Sequence, residues 1–159
     1  MAHPVVRLKA LTPEAGYALG GSYLEIEKFP FRVGRESRMT PSRFPWFKER
    51  RSKAVEPNND LYIREFSELH HLSREHFLMD WRDGELVLVD RGSACGTIVE
   101  GKPIGGERYG GECALEHHDV IIAGTSSSPY VFKVCIEDLT ALEKSDVTRM
   151  MDGRFRSLE

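Results

Sequence analysis

Along most of the chain, apolar and polar residues change places every one or two positions, in runs of four to eight residues separated by Gly, Pro, Asn and Asp. A period near two places alternate side chains on opposite faces of an extended backbone, so these runs predict half-buried β-strands. The first covers residues 4–11. The segment 12–21 holds Pro13, Gly16, Gly20 and Gly21 around a small apolar patch and is expected to be a loop. Strands are predicted over residues 23–27, 29–35 and 60–65. Residues 77–82 and 85–90 flank Asp83-Gly84, a dipeptide suited to the two left-handed positions of a type I′ hairpin turn. A smaller unit follows, with residues 97–99 and 102–104 around Glu100-Gly101. Gly105, Gly106, Gly110 and Gly111 then mark a connection. The last strands are expected over residues 119–124 and 130–136. Short strands at this density predict an all-β sandwich.

Two stretches break the alternation. Residues 38–58 contain Pro41, Pro45 and Pro57, the pair Trp46-Phe47, and Arg38, Arg43, Lys48, Arg50, Arg51 and Lys53 against Glu49 and Glu56. This predicts a long basic loop, with at most a helical turn at residues 48–53. In the tail, Thr140 with Glu143 fits a capping box. Val147, Met150, Met151, Phe155 and Leu158 recur at helical spacing, with Gly153 weakening the last turns. The expected organisation is therefore a sandwich over residues 1–137, with the loop inserted at 38–58, and a helical tail over 138–159. The apolar face of that tail would dock on the sandwich or on a second copy.

Bulk properties narrow the function. The chain has 159 residues, enough for one domain with a core, and its net charge of −3 gives no general attraction to nucleic acid or anionic lipid. No apolar run approaches the roughly 20 residues that cross a bilayer. Residues 1–4 lack a charged region leading into an apolar one, and Cys95, Cys113 and Cys135 are odd in number and widely spaced. The expectation is a cytoplasmic protein without a disulfide framework. No Cys-x-x-Cys or His-x-x-x-His spacing supports a metal, and no cofactor motif is present: Gly105-Gly106 and Gly110-Gly111 lack the Lys-Ser/Thr partner of a phosphate-cradling loop.

Candidate chemistry lies in three short segments at predicted strand ends: Gly34-Arg35, Ser73-Arg74-Glu75-His76, and Ser93-Ala94-Cys95-Gly96-Thr97. Arginine offers two parallel donors to a phosphate and keeps its charge, and a serine hydroxyl can donate beside it. Taken singly, Arg35 suits a surface ion pair better than a phosphate site, and Ser73 suits a turn. With the closing Asp119-Val120-Ile121 and Gly124, the segments resemble, in order, the signature of the forkhead-associated (FHA) domain, over roughly residues 5–134.

That resemblance implies a β-sandwich that binds phosphothreonine-containing proteins without turnover. Arg35 and Ser73 would clamp the phosphate, with Arg74 beside them. Ala94, Cys95, Gly96 and Thr97 would form the opposite loop of the peptide site. Gly34, His76 and Ser93 would support the loops, the His76 ring bonding between them. One position departs from the pattern. Cys95 stands where the family usually has an Asn that grips the peptide backbone, and a thiol is a weak donor and acceptor. Ala94 lacks a hydroxyl found in some members. Each lost neutral hydrogen bond costs about 0.5–1.5 kcal/mol, less than a contact to a charged group. The departure opens a second reading, a module of the same fold that assembles proteins without phosphate. A third, an enzyme using Cys95, has no partner residue at a supporting spacing.

Overall fold

The computed structural model describes residues 3–36, 58–65 and 70–138. The expected basic loop at 38–58, except Asn58, and the expected helical tail at 138–159, except Asp138, lie outside these residues.

Eleven strands and one short helix are described. One sheet has six strands in the order β2 (Tyr23–Ile26), β1 (Val5–Ala10), β11 (Val131–Glu137), β10 (Val120–Ala123), β7 (Thr97–Val99), β8 (Lys102–Ile104). The other has five: β4 (Leu61–Ile63), β3 (Phe31–Arg35), β5 (Phe77–Arg82), β6 (Glu85–Asp90), β9 (Gly111–Ala114). The sequence alternation becomes burial. Val6 and Leu8 of β1, Phe77 and Met79 of β5, Leu86 and Leu88 of β6, and Phe132 and Val134 of β11 point inward and are buried. Each such side chain contributes about 1.5–3 kcal/mol of transfer free energy. The turn at Asp83 and Gly84 has φ of 51° and 80°, and that at Glu100 and Gly101 has φ of 48° and 78°, the paired left-handed geometry of type I′.

Three elements depart from the sequence reading. Residues 13–19, expected as loop, form helix α1 (Pro13–Leu19). The residues that argued for a loop are its terminators. The Thr12 hydroxyl accepts from the Ala15 amide at 3.1 Å, Pro13 occupies the first turn where no amide partner is needed, and Gly20 closes the helix at φ 75°. Ala15 and Leu19, the apolar patch, are the face it buries. Strand β9 emerges from the glycine-rich connection and pairs along β6, Leu88 opposite Cys113. Finally, β4 runs parallel to β3, Arg35 opposite Ile63, so the sandwich is not wholly antiparallel.

Candidate functional site

Loops at one end of the sandwich meet around an open pocket of about 510 Å³, lined by Arg35, His70, Leu72, Ser73, Arg74, Glu75, Arg91, Gly92, Ala94, Cys95 and Arg108. Arg35 reaches it because β3 ends there. The Arg35 amide donates to the Ser73 carbonyl at 2.9 Å, and the His76 amide to the Val33 carbonyl at 3.0 Å, so the ladder between β3 and β5 continues into the loop before β5. Gly34 allows this closeness. A Cβ there would stand 2.0 Å from the Arg74 carbonyl oxygen and 2.6 Å from Asn59 Nδ2.

The Arg35 side chain is oriented by one bond, Nε donating to the Leu72 carbonyl at 2.9 Å. Its two terminal nitrogens take no partner among the described residues. The Ser73 hydroxyl accepts from the Ala94 amide at 3.0 Å, which leaves its own hydrogen for an acceptor in the pocket. That contact also joins the loop before β5 to the loop between β6 and β7. Glu65 holds the first loop from behind, its carboxylate accepting from the His71 and Leu72 amides at 2.9 and 2.8 Å.

His76 is fully buried between the two loops. The Ser73 amide donates to Nδ1 at 3.0 Å, which requires that nitrogen to be unprotonated. Nε2 therefore carries the hydrogen and donates to the Gly96 carbonyl at 2.7 Å. Burial is the largest cause holding its pKa below the ordinary imidazole value, partly offset by the Gly96 carbonyl and Asp90.

The loop between β6 and β7 is shaped by Asp90, which occupies an inward position of β6 and is 3% exposed. Its Oδ1 accepts from the Gly92 and Ser93 amides at 3.1 and 2.9 Å. Its Oδ2 accepts from the Ser93 and Thr97 hydroxyls at 2.7 and 2.8 Å. Ser93 Oγ in turn accepts from the Gly96 amide at 2.9 Å. Four donors on one buried carboxylate satisfy it without a counter-ion.

Of the residues singled out in the sequence, Arg35, Ser73, Arg74, Ala94 and Cys95 come together on the pocket wall. Gly96 and Thr97 do not. Both are buried beneath the loop, the Thr97 hydroxyl committed to Asp90. Gly34, His76 and Ser93 lie behind the wall in the contacts just described. Cys95 Sγ has one long contact, 3.9 Å to the His70 carbonyl.

Sequence reasoning gave no role to Asp90, although the motif turn begins there, and missed Asn59, Arg91 and Arg108. Asp90 had a usable signal: a carboxylate in phase with Leu86 and Leu88 on the inward face. Asn59 is buried, donating to the Arg74 carbonyl at 2.7 Å and accepting from Arg91 Nη1 at 2.6 Å. Arg91 also faces Glu75 at 3.6 Å. Nothing in the local sequence marks these long-range contacts. Among the described residues no group of His, Cys, Asp and Glu could hold a metal, and no helix is long and apolar enough to cross a membrane.

The family model of the FHA domain matches residues 31–124. No curated protein matches the sequence. Solved structures are similar in fold. The FHA domain of a Chlamydia trachomatis protein is 19% identical with TM-score 0.51, over 84% of this chain and 99% of that one. The kinase-interacting FHA domain of an Arabidopsis kinase-associated protein phosphatase is 21% identical with TM-score 0.54, over 87% and 98%. Mycobacterium tuberculosis EmbR, solved with a low-affinity phosphopeptide, is 16% identical with TM-score 0.51, and this chain, 84% covered, spans 25% of its length.

Proposed function

The chain belongs to the FHA-domain family, and on that premise we propose that its pocket binds a phosphothreonine segment of a partner protein, without turnover. The observation that carries the reading is the pairing of Ser73 and Arg35. Ser73 Oγ has its acceptor side taken by the Ala94 amide and its hydrogen available, and Arg35 is fixed at Nε with two terminal nitrogens unpartnered among the described residues. A hydroxyl donor beside an arginine fork suits a dianionic phosphate. Arg74, exposed on the same wall, adds charge. Cys95 supplies little directional bonding to the peptide backbone, so affinity rests on the phosphate more than on the flanking chain. In this reading the protein is a cytoplasmic signalling adaptor that needs no cofactor, nucleic acid or membrane. Self-association through residues 138–159 remains a separate proposal.

The test is calorimetry with a phosphothreonine peptide library and its unphosphorylated counterpart, on the parent protein and Arg35→Ala. The parent should prefer the phosphorylated library. The variant should lose about 1.5–3 kcal/mol, the worth of hydrogen bonds to a charged group. Equal binding of both libraries by the parent would instead establish the phosphate-independent module that Cys95 raised.

A further inference from the structure

The pocket holds more positive charge than one phosphate neutralises. Arg35, Arg74, Arg91 and Arg108 line it against a single carboxylate, Glu75, and that carboxylate already faces Arg91 at 3.6 Å. The chain as a whole is net −3, so the excess is local. A phosphothreonine carries about −1.5 to −2 at neutral pH.

The phosphate clamp uses neither Arg91 nor Arg108, and Arg91 is already engaged by Asn59 and Glu75. Arg108 comes from the connection between β8 and β9, which is bonded to the loop between β6 and β7 rather than to the segments carrying Arg35 and Ser73. The backbone sets its position. The Glu107 amide donates to the Ala94 carbonyl and the Arg108 amide to the Ser93 carbonyl, both at 3.0 Å. Glu107 and Arg108 both sit in the left-handed region, at φ of 51° and 67°. Such a conformation in two successive non-glycine residues is costly and is maintained here by those bonds to the loop between β6 and β7. The Arg108 side chain is exposed, lines the pocket, and has no partner among the described residues, while neighbouring Glu107 does not line it. The same bonds that shape the loop carrying Ala94 and Cys95 therefore also place the Arg108 backbone beside that loop, from which its side chain lines the pocket.

We propose that Arg108 forms a second anion subsite, so that the preferred ligand is a phosphothreonine segment with an acidic side chain close to the phosphothreonine. This rests on the phosphothreonine reading above. It also gives the ligand a contact where Cys95 offers a weak one.

The experiment uses two short synthetic peptides around one phosphothreonine, flanked on both sides by aspartate or by the isosteric asparagine, with their unphosphorylated forms. Affinities are measured by fluorescence anisotropy at low and physiological salt. For the parent, the aspartate peptide should bind about fivefold more tightly, the upper range for an exposed ion pair. In Arg108→Ser that ratio should fall below about twofold. In Arg82→Ser, which removes an arginine at the hairpin tip outside the pocket, the ratio should be kept, separating a local contact from general electrostatics. Phosphate-dependent binding with no aspartate advantage, or an advantage that survives Arg108→Ser, overturns the second subsite alone. Equal binding of phosphorylated and unphosphorylated forms overturns the phosphothreonine reading and this inference with it.

Discussion

His76 should make the stability of the domain depend on pH between about 7.5 and 5.5. The ring is buried, accepts from the Ser73 amide at Nδ1 and donates to the Gly96 carbonyl from Nε2. Protonation would place a hydrogen on Nδ1 facing the Ser73 amide, and a charge in the interior. The folded-state pKa is lowered, chiefly by burial. A group with a depressed folded pKa favours the unfolded chain as pH falls, because the unfolded imidazole binds a proton that the folded one refuses. The stability is thus fully present above the unfolded value of about 6.5 and is lost progressively below it, until the folded ring itself protonates. By linkage, the loss between pH 7.5 and 5.5 from this one group is at most about 1.4 kcal/mol.

Truncation gives a second magnitude. His76→Ala orphans the Ser73 amide, at about 1–3 kcal/mol against a total of about 5–15 for a domain, and takes from the Gly96 carbonyl one of two donors, the Gly124 amide remaining. His76→Gln can keep an acceptor for one group and a donor for the other without titrating. The assay is urea unfolding of the parent and both variants at pH 7.5, 6.5 and 5.5. Five other histidines are present and are shared by all three proteins, so the difference between parent and His76→Gln isolates His76. The glutamine variant should exceed the alanine variant in stability at pH 7.5 and have a shallower pH slope than the parent. A parent slope retained in His76→Gln, or an alanine variant within about 0.5 kcal/mol of the parent, would refute the reasoning.

Two further outcomes are expected. Gly34→Ala puts a Cβ 2.0 Å from the Arg74 carbonyl oxygen and must push β3 away from the loop carrying Ser73; it should cost at least about 2 kcal/mol by chemical denaturation, through the hydrogen bonds this separates, and weaken phosphopeptide binding together with stability. A variant as stable as the parent would mean that the loop yields freely. Cys95→Asn should tighten phosphopeptide binding several-fold in anisotropy titrations, because a carboxamide donates and accepts where the thiol does neither well; unchanged or weaker binding would show that the loop is built around the smaller side chain.

The hairpin β5–β6 was legible because Asp83-Gly84 and the alternation on both sides demand the same structure. Helix α1 was not, because Pro13 and Gly20 disrupt a helix in its interior yet bound one at its ends, and the local sequence is compatible with either. Strand β9 has only four residues, one of them an apolar Cys113, and its register depends on β6 rather than on its own pattern. The parallel pairing of β4 is likewise a choice made by its neighbour. In the site, Arg35 and Ser73 were readable because the segments carrying them follow the order of the FHA signature; singly, each suits an ion pair or a turn. Thr97 was placed on the binding surface by its motif, yet its hydroxyl belongs to Asp90. Arg91 and Arg108 owe their places to partners far along the chain, Asn59 and the carbonyl of Ser93, which no local period encodes.

The central pairing of β1 with β11 sets how this domain can be mounted. Val5 lies opposite Glu137, and Ala10 opposite Phe132. At the other end of the same sheet, Ala123 of β10 lies opposite Thr97, and the Gly124 amide donates to the Gly96 carbonyl at 2.9 Å, directly behind the pocket loops. Strand β11 runs from that pole to the far one, seven residues and so about 20–24 Å. The points where the backbone enters at Val5 and leaves at Glu137 are therefore side by side, like the two pins of a plug, with the cationic pocket at the opposite face. A partner approaching Arg35 and Ser73 meets the domain from one side while its attachment is on the other. Fusing a tag or tether at either point should thus leave access to the pocket open, and joining the two points should require only a short bridge.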